Sequence, residues 1–252
     1  MEVVNEYDCN EICKLFEKHK LVMLRAEYAG SGKSYACAYM KSLGHKVLFV
    51  SPTNKLSKEL NKDHKIEAIT INKFFGFNAD NETKYMKQFD STEYNCIIFD
   101  EIYFYDVCNL MKVYNYCKKN TDKIILATGD VNQLECISEV SNVKDYEGYI
   151  NHCINSIFPF EIFLKENKRL TNPEDKLRLK NIKNDILGTD IPLLEIIQKY
   201  NLKTTTTIMT EDNIAYTNNK CKNVSKAVRK MLGMKNDYEV DEKLVCRKFF
   251  NF

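Results

Sequence analysis

The chain has no tryptophan and only four prolines and eight glycines among 252 residues. It has no low-complexity stretch either, which excludes a Pro-rich or Gly/Ser-rich linker protein. No apolar run approaches the roughly 20 residues that a membrane-crossing helix needs. The N-terminus is acidic and polar, so no secretory signal is expected. A surplus of one charge sign is missing too: 37 basic residues face 35 acidic ones, for a net charge of +2. That balance supports neither a nucleic-acid nor a membrane partner, so any such partner must be argued from motifs. Of the basic residues only five are arginine: Arg25, Arg169, Arg178, Arg229 and Arg247. The ten cysteines include no Cys-x-x-Cys pair, and the four histidines do not cluster with them. Zinc-ligand spacing is therefore absent, and the thiols are expected to be buried and reduced. What remains is ordinary globular composition, 44% hydrophobic and 29% charged, long enough for one large domain or two small ones.

The most informative stretch is Glu27-Tyr28-Ala29-Gly30-Ser31-Gly32-Lys33-Ser34. An apolar run, Leu21 to Leu24, precedes it, and a helical segment from Tyr35 to Leu43, stopped by Gly44, follows. Strand, small-residue loop and a helix opening on Lys-Ser make the phosphate-cradling P-loop pattern. Gly30 and Gly32 let backbone N–H groups curl around phosphate oxygens with no Cβ in the way. Ser31 lies between them in the cradle, and the helix N-terminus adds unpaired donors and partial positive charge. Lys33 can then reach the β- and γ-phosphates, and the Ser34 hydroxyl can ligate Mg²⁺. The first position of the pattern calls for glycine and here holds Glu27. Taken alone, the match leaves open an ordinary Gly/Ser turn.

Beyond it the chain alternates strands and helices. Val47 to Val50 is a continuous apolar run ending at Pro52, and a helix follows through Leu60. Cys96-Ile97-Ile98-Phe99 delivers Asp100 and Glu101 to a strand end, and Tyr103 to Lys118 reads as a helix. Ile124 to Thr128 is another buried strand, running into Gly129-Asp130-Val131-Asn132-Gln133-Leu134. Such runs suit strands covered on both faces, and the alternation predicts a parallel α/β sheet with its site at the strands' C-terminal ends. Residues 1–19 read as a helix, and the pattern restarts after about 156, placing a domain boundary between 155 and 156. In the second part, Phe160–Leu164, Thr204–Met209, Ile214–Tyr216 and Lys243–Arg247 read as strands. Pro173–Leu187 reads as a helix capped by Thr171 or Asn172, and Asn218–Leu232 as another.

Asp100-Glu101 lies 67 residues after Lys33. In a nucleotide hydrolase the first carboxylate holds Mg²⁺ and the second orients and deprotonates water. A solvated acidic turn is the plain alternative. With Gly30-Ser31-Gly32-Lys33-Ser34, Ser51-Pro52-Thr53-Asn54-Lys55 and the Gly129-Asp130…Gln133-Leu134 run, the set resembles superfamily 1 helicases in order and spacing. It looks most like their RecD-like branch, which includes helicases of large DNA viruses. The resemblance implies a RecA-like ATP-binding domain over 1–155 and a partial second RecA-like domain over 156–252. It implies Gln133 at the γ-phosphate, and Arg169, in Glu166-Asn167-Lys168-Arg169, reaching the same phosphate. Thr53, Asn54, Thr70 and Phe74 would contact the sugar-phosphate or stack on bases. Thr217 and Asn218 resemble the start of the second domain's nucleic-acid face.

ATP and Mg²⁺ are thus the expected cofactors, and single-stranded DNA, more than RNA, the expected partner. The expected location is the cytoplasm, nucleus or a viral replication site. The motifs that complete the family's second domain do not occur before Phe252, so a fragment, a truncated gene product or one piece of a split protein is expected. Such a piece would bind Mg²⁺–ATP yet turn it over slowly. Competing readings are a non-catalytic nucleotide-binding remnant or subunit, an RNA helicase domain and, least favoured, a thymidine-kinase-like nucleoside kinase, whose zinc-ligand spacing is lacking here.

Overall fold

In a parallel sheet with helices on both sides, a strand has no wet face, so its residues alternate between two apolar layers. The computed structural model shows this arrangement. It describes residues 2–4, 8–26, 28, 30–76, 87–130, 146–165, 167–188, 190–202 and 218–234. The strands are β1 (Glu2–Val4), β2 (Leu21–Ala26), β3 (Val47–Ser51), β4 (Glu67–Thr70), β5 (Cys96–Phe99), β6 (Ile124–Gly129) and β7 (Phe160–Leu164). They form one sheet in the order β1-β7-β2-β6-β5-β3-β4, and every pair is parallel. All C-terminal strand ends therefore lie along one edge.

Helices α1 (Cys9–His19), α2 (Lys33–Tyr39) and α3 (Asn54–His64) bury Ile12, Phe16, Ala36, Cys37 and Leu60 with Val22, Leu24, Phe49, Ile98 and Leu126. The alternate strand residues Met23, Leu48, Val50, Ile97, Phe99 and Ile125 pack with α4 (Ile71–Phe75), α5 (Val107–Lys119) and α6 (Tyr146–Ile157). Four of the helix starts have a local cause. Asp8, Thr53, Thr70 and Asp106 accept a first-turn N–H from Asn10, Leu56, Lys73 and Asn109. After α2 a 3₁₀ turn over Met40–Leu43 ends at Gly44, whose φ of 90° a residue with a Cβ rarely adopts.

Two expectations need correction. Residues 1–19 are not all helix: Glu2–Val4 is an edge strand, and α1 starts at Cys9. Strand β7 does not open a new domain. It lies between β1 and β2, with Ala26 opposite Leu164, and the first compact unit runs to Arg178, past the expected boundary at 155. The periodicity of Phe160–Leu164 shows that it is a buried strand, but not which sheet buries it. α7 (Pro173–Gly188) is capped by Asn172, whose Oδ1 accepts the Glu174 N–H at 2.9 Å. The second unit, Leu179–Phe252, contributes α8 (Leu193–Lys199) and α9 (Asn218–Met231). There, Asp185 accepts from Lys199 Nζ at 2.8 Å and from the Tyr200 hydroxyl at 2.7 Å. The strands expected at 204–209, 214–216 and 243–247 lie outside the described residues.

Among the described residues the cysteines are free, and burial raises the pKa of Cys13 and Cys117 to about 12. The fully buried Cys37 and Cys96 are pushed up by the same cause. Such thiols are packing groups, as the sequence suggested.

Phe74 lies in the core at 1% exposure, with Phe75, Phe99 and Tyr116 at centroid distances of 5.0, 5.7 and 5.0 Å. It cannot stack on a base from there, contrary to the expected nucleic-acid contact, and serves packing instead. Phe74→Ala is expected to destabilise the protein by about 3–5 kcal/mol, the usual cost of truncating a buried phenylalanine. Urea denaturation measures this, and a loss under 1 kcal/mol, roughly the cost of an exposed site, would contradict the burial.

Candidate functional site

The site lies where β2, β5 and β6 end. Leaving β2, the chain turns through Gly30 (φ 79°) and Gly32 (φ 85°), both left-handed, and enters α2 at Lys33. Gly32 is the N-cap and brings no capping side chain to the first turn. Lys33 is 8% exposed and Ser31 1% exposed, so the loop is folded inward. The backbone shape and the unblocked helix start fit a polyphosphate.

Asp100 follows β5, its N–H donating to the Val50 carbonyl at 2.8 Å. Only 3% exposed, it accepts the Thr128 hydroxyl at 2.6 Å and the Ser34 hydroxyl at 3.3 Å, both at Oδ1. The expected pair of magnesium ligands, Ser34 and Asp100, therefore meets directly. Burial raises the Asp100 pKa above the ordinary carboxylate range, against the two hydroxyl bonds and the charge of Lys33, which lower it. The serine hydroxyl and the carboxylate are oxygen donors that could hold Mg²⁺, and the neighbouring Lys33 ammonium suits a phosphate. Glu101, next along, has φ 51° and ψ 52°, and its N–H donates to Thr128 Oγ1 at 3.3 Å.

Arg169 also reaches this place. Its side chain lies over Gly30: a Cβ there would meet Arg169 Cβ at 2.7 Å and Nε at 3.1 Å. The Lys168 N–H donates to the Gly30 carbonyl at 3.0 Å. Asn167 is buried, and its Oδ1 accepts the N–H groups of Arg169 and Leu170 at 2.9 and 3.0 Å, shaping the turn that sets Arg169 on the loop.

The structure thus gathers Gly30, Ser31, Gly32, Lys33, Ser34, Asp100, Glu101 and Arg169. Gln133 and Glu27 lie outside the described residues. Thr53, Asn54 and Thr70 sit further along the same edge, where Ser51 pairs with Thr70. The hydroxyls of Thr53 and Thr70 serve as helix caps, and Asn54 is exposed. Thr217 lies outside the described residues, and Asn218 opens α9 in the second unit. One residue was missed. Thr128 bridges both acids, and its only trace in the sequence is a hydroxyl ending an otherwise apolar strand.

Fold and site together define a P-loop nucleotide-binding protein of the RecA-like type. A family model described as an AAA domain matches residues 9–155, more than half of the chain, and the chain belongs to that family. No curated protein matches it in sequence. Among solved structures, it is similar to the Pif1 helicase from Candida albicans, with a TM-score of 0.63 and 18% identity. That match covers 93% of this chain and 56% of the helicase. The Pif1 helicase from Bacteroides in complex with ADP-AlF3 and ssDNA matches with a TM-score of 0.59 and 17% identity, over 93% and 58% of the two chains. A structure of two coordinating Pif1 helicases at forked dsDNA gives 0.52 and 18%, over 74% and 50%. The chain therefore spans between half and three-fifths of these neighbours. At this identity the likeness is one of fold, a RecA-like parallel sheet with helices on both faces.

The electrostatics of Asp100 give a test. A folded-state pKa raised by burial stabilises the fold below the ordinary carboxylate range, and that contribution is lost as pH rises through the folded value. Asp100→Asn keeps the shape without the charge. Its stability relative to wild type is expected to grow from about pH 4 to pH 8. Thermal melts of both proteins across that range measure it, and a flat or falling difference would count against the burial.

Proposed function

We propose that this chain is the ATP-binding and ATP-hydrolysing lobe of a helicase or translocase that works on single-stranded DNA. The observation that carries the reading is the contact of Ser34 with Asp100 beside Lys33, at the mouth of a loop with two left-handed glycines. Motif and fold could each arise separately; their convergence at one stretch of the sheet edge supports nucleotide hydrolysis. In this reading the loop N–H groups and Lys33 bind the β- and γ-phosphates, and Ser34 and Asp100 hold Mg²⁺. Bound there, Mg²⁺ would neutralise charge on the phosphate oxygens. Glu101 orients the attacking water and takes its proton, and Arg169, already on Gly30, carries positive charge to the γ-phosphate side. Gln133 is assigned the same phosphate through the family pattern. Thr53, Asn54 and Thr70 are placed along a track for the sugar-phosphate backbone. The Pif1 helicase structure with ADP-AlF3 and ssDNA, similar in fold, supports pairing this nucleotide site with single-stranded DNA.

Titration of a fluorescent ATP analogue, with and without Mg²⁺, tests the nucleotide site. Lys33→Ala is expected to weaken binding about 10- to 100-fold, the loss of one or two charge-assisted hydrogen bonds. Equal affinity in the variant, or none in wild type, would sink the reading. Binding of labelled single-stranded DNA should be strengthened or weakened by the analogue if the two sites are coupled.

A further inference from the structure

Glu101 is held in a backbone conformation that costs a residue with a Cβ about 1–2 kcal/mol. Thr128 holds its N–H, and its carbonyl accepts the Phe104 N–H at 3.0 Å, opening a 3₁₀ turn over Ile102–Phe104. Tyr103, in the middle of that turn, is wedged on three sides. Its ring fills the space beside Gly129, where a Cβ would come within 2.7 Å of Cδ2. Its hydroxyl donates to Asn151 Oδ1 on α6 at 2.8 Å. The guanidinium carbon of Arg25 lies 5.6 Å from the ring centroid. Arg25 is itself fixed, Nη2 donating to Asn155 Oδ1 at 2.8 Å and Nε lying 3.5 Å from Glu161 Oε1. Arg25 and Gly129 are register partners on β2 and β6. One tyrosine thus touches the strand ends that precede the phosphate loop and the Gly-Asp run, two residues after the water-activating acid. Packing alone would require only a phenylalanine; here the hydroxyl and the ring face each have a polar partner.

We propose that Tyr103 is a positioning residue for Glu101. Locked between Gly129, Arg25 and Asn151, it keeps the turn from unwinding and so keeps the Glu101 backbone from relaxing to an ordinary conformation. A carboxylate displaced by even an ångström loses much of its effect on an attacking water. The inference rests on the hydrolytic reading given above.

The test uses the full chain, comparing wild type with Tyr103→Phe, Asn151→Ala, their double variant and Glu101→Gln. Single-turnover ATP hydrolysis gives the rate, fluorescent-analogue titration the affinity, and thermal melts the folded state. Tyr103→Phe is expected to lower the rate about tenfold with unchanged nucleotide affinity, the pattern of a group acting in the transition state. Asn151→Ala should cause the same fall, and the double variant no further one, because both remove a single hydrogen bond. A Tyr103→Phe rate equal to wild type, with Glu101→Gln slower than both, would overturn the positioning role and leave the hydrolytic reading standing. An affinity loss as large as the rate loss would also overturn it, assigning the ring to the phosphate cradle. A wild type that binds the analogue yet hydrolyses no faster than Glu101→Gln would overturn the hydrolytic reading, and this inference with it.

Discussion

A charged group removed from water must be hydrogen-bonded, and Asp100 imposes that requirement on the whole sheet edge. Its carboxylate draws on a hydroxyl at the end of β6 and another in the first turn of α2. Those two donors are in reach only if β5 lies beside β6 and the glycine loop brings α2 back over the edge. The same Thr128 oxygen takes the Glu101 N–H, so a single hydroxyl orders both acids. Burial still keeps the Asp100 pKa above the ordinary range, so the bonds offset desolvation only in part. A buried functional carboxylate is expected to cost stability in this way, since stability and activity compete at such sites.

The phosphate loop is shaped by contacts from both of its flanks. Gly30 has no room for a side chain because Arg169 occupies the space, and its carbonyl takes the Lys168 N–H. This arrangement depends on β7 lying beside β2, with Ala26 opposite Leu164. The segment that follows β7 then emerges next to the loop that follows β2. The polar turn built on Asn167 completes the placement by directing two backbone N–H groups to one side-chain oxygen. Arg169 thus approaches the loop within the first compact unit.

Polar residues elsewhere along this edge divide between structure and service. Thr53 and Thr70 each satisfy a helix N-terminus, which also fixes where α3 and α4 begin. Asn54 is left exposed beside them. Phe74, from the same short segment as Thr70, points the other way into a cluster of aromatic rings. Thr70 is the extended N-cap and Phe74 lies within the helix, so two residues of one short segment need not share a role.

Much of this was legible in the residues alone, because it depends on local pattern. Continuous apolar runs marked β3, β5 and β6, and the Gly-Ser-Gly-Lys-Ser stretch announced the phosphate loop. The order of the loop, the acid pair and the Gly-Asp run resembles that of RecA-like sheets. Long-range pairing was not legible. That β7 joins the first sheet, that Thr128 bonds Asp100, that Arg169 covers Gly30 and that Phe74 turns inward depends on which strands and helices become neighbours. Periodicity says that a face is buried but not what buries it, and only the folded chain decides the partner.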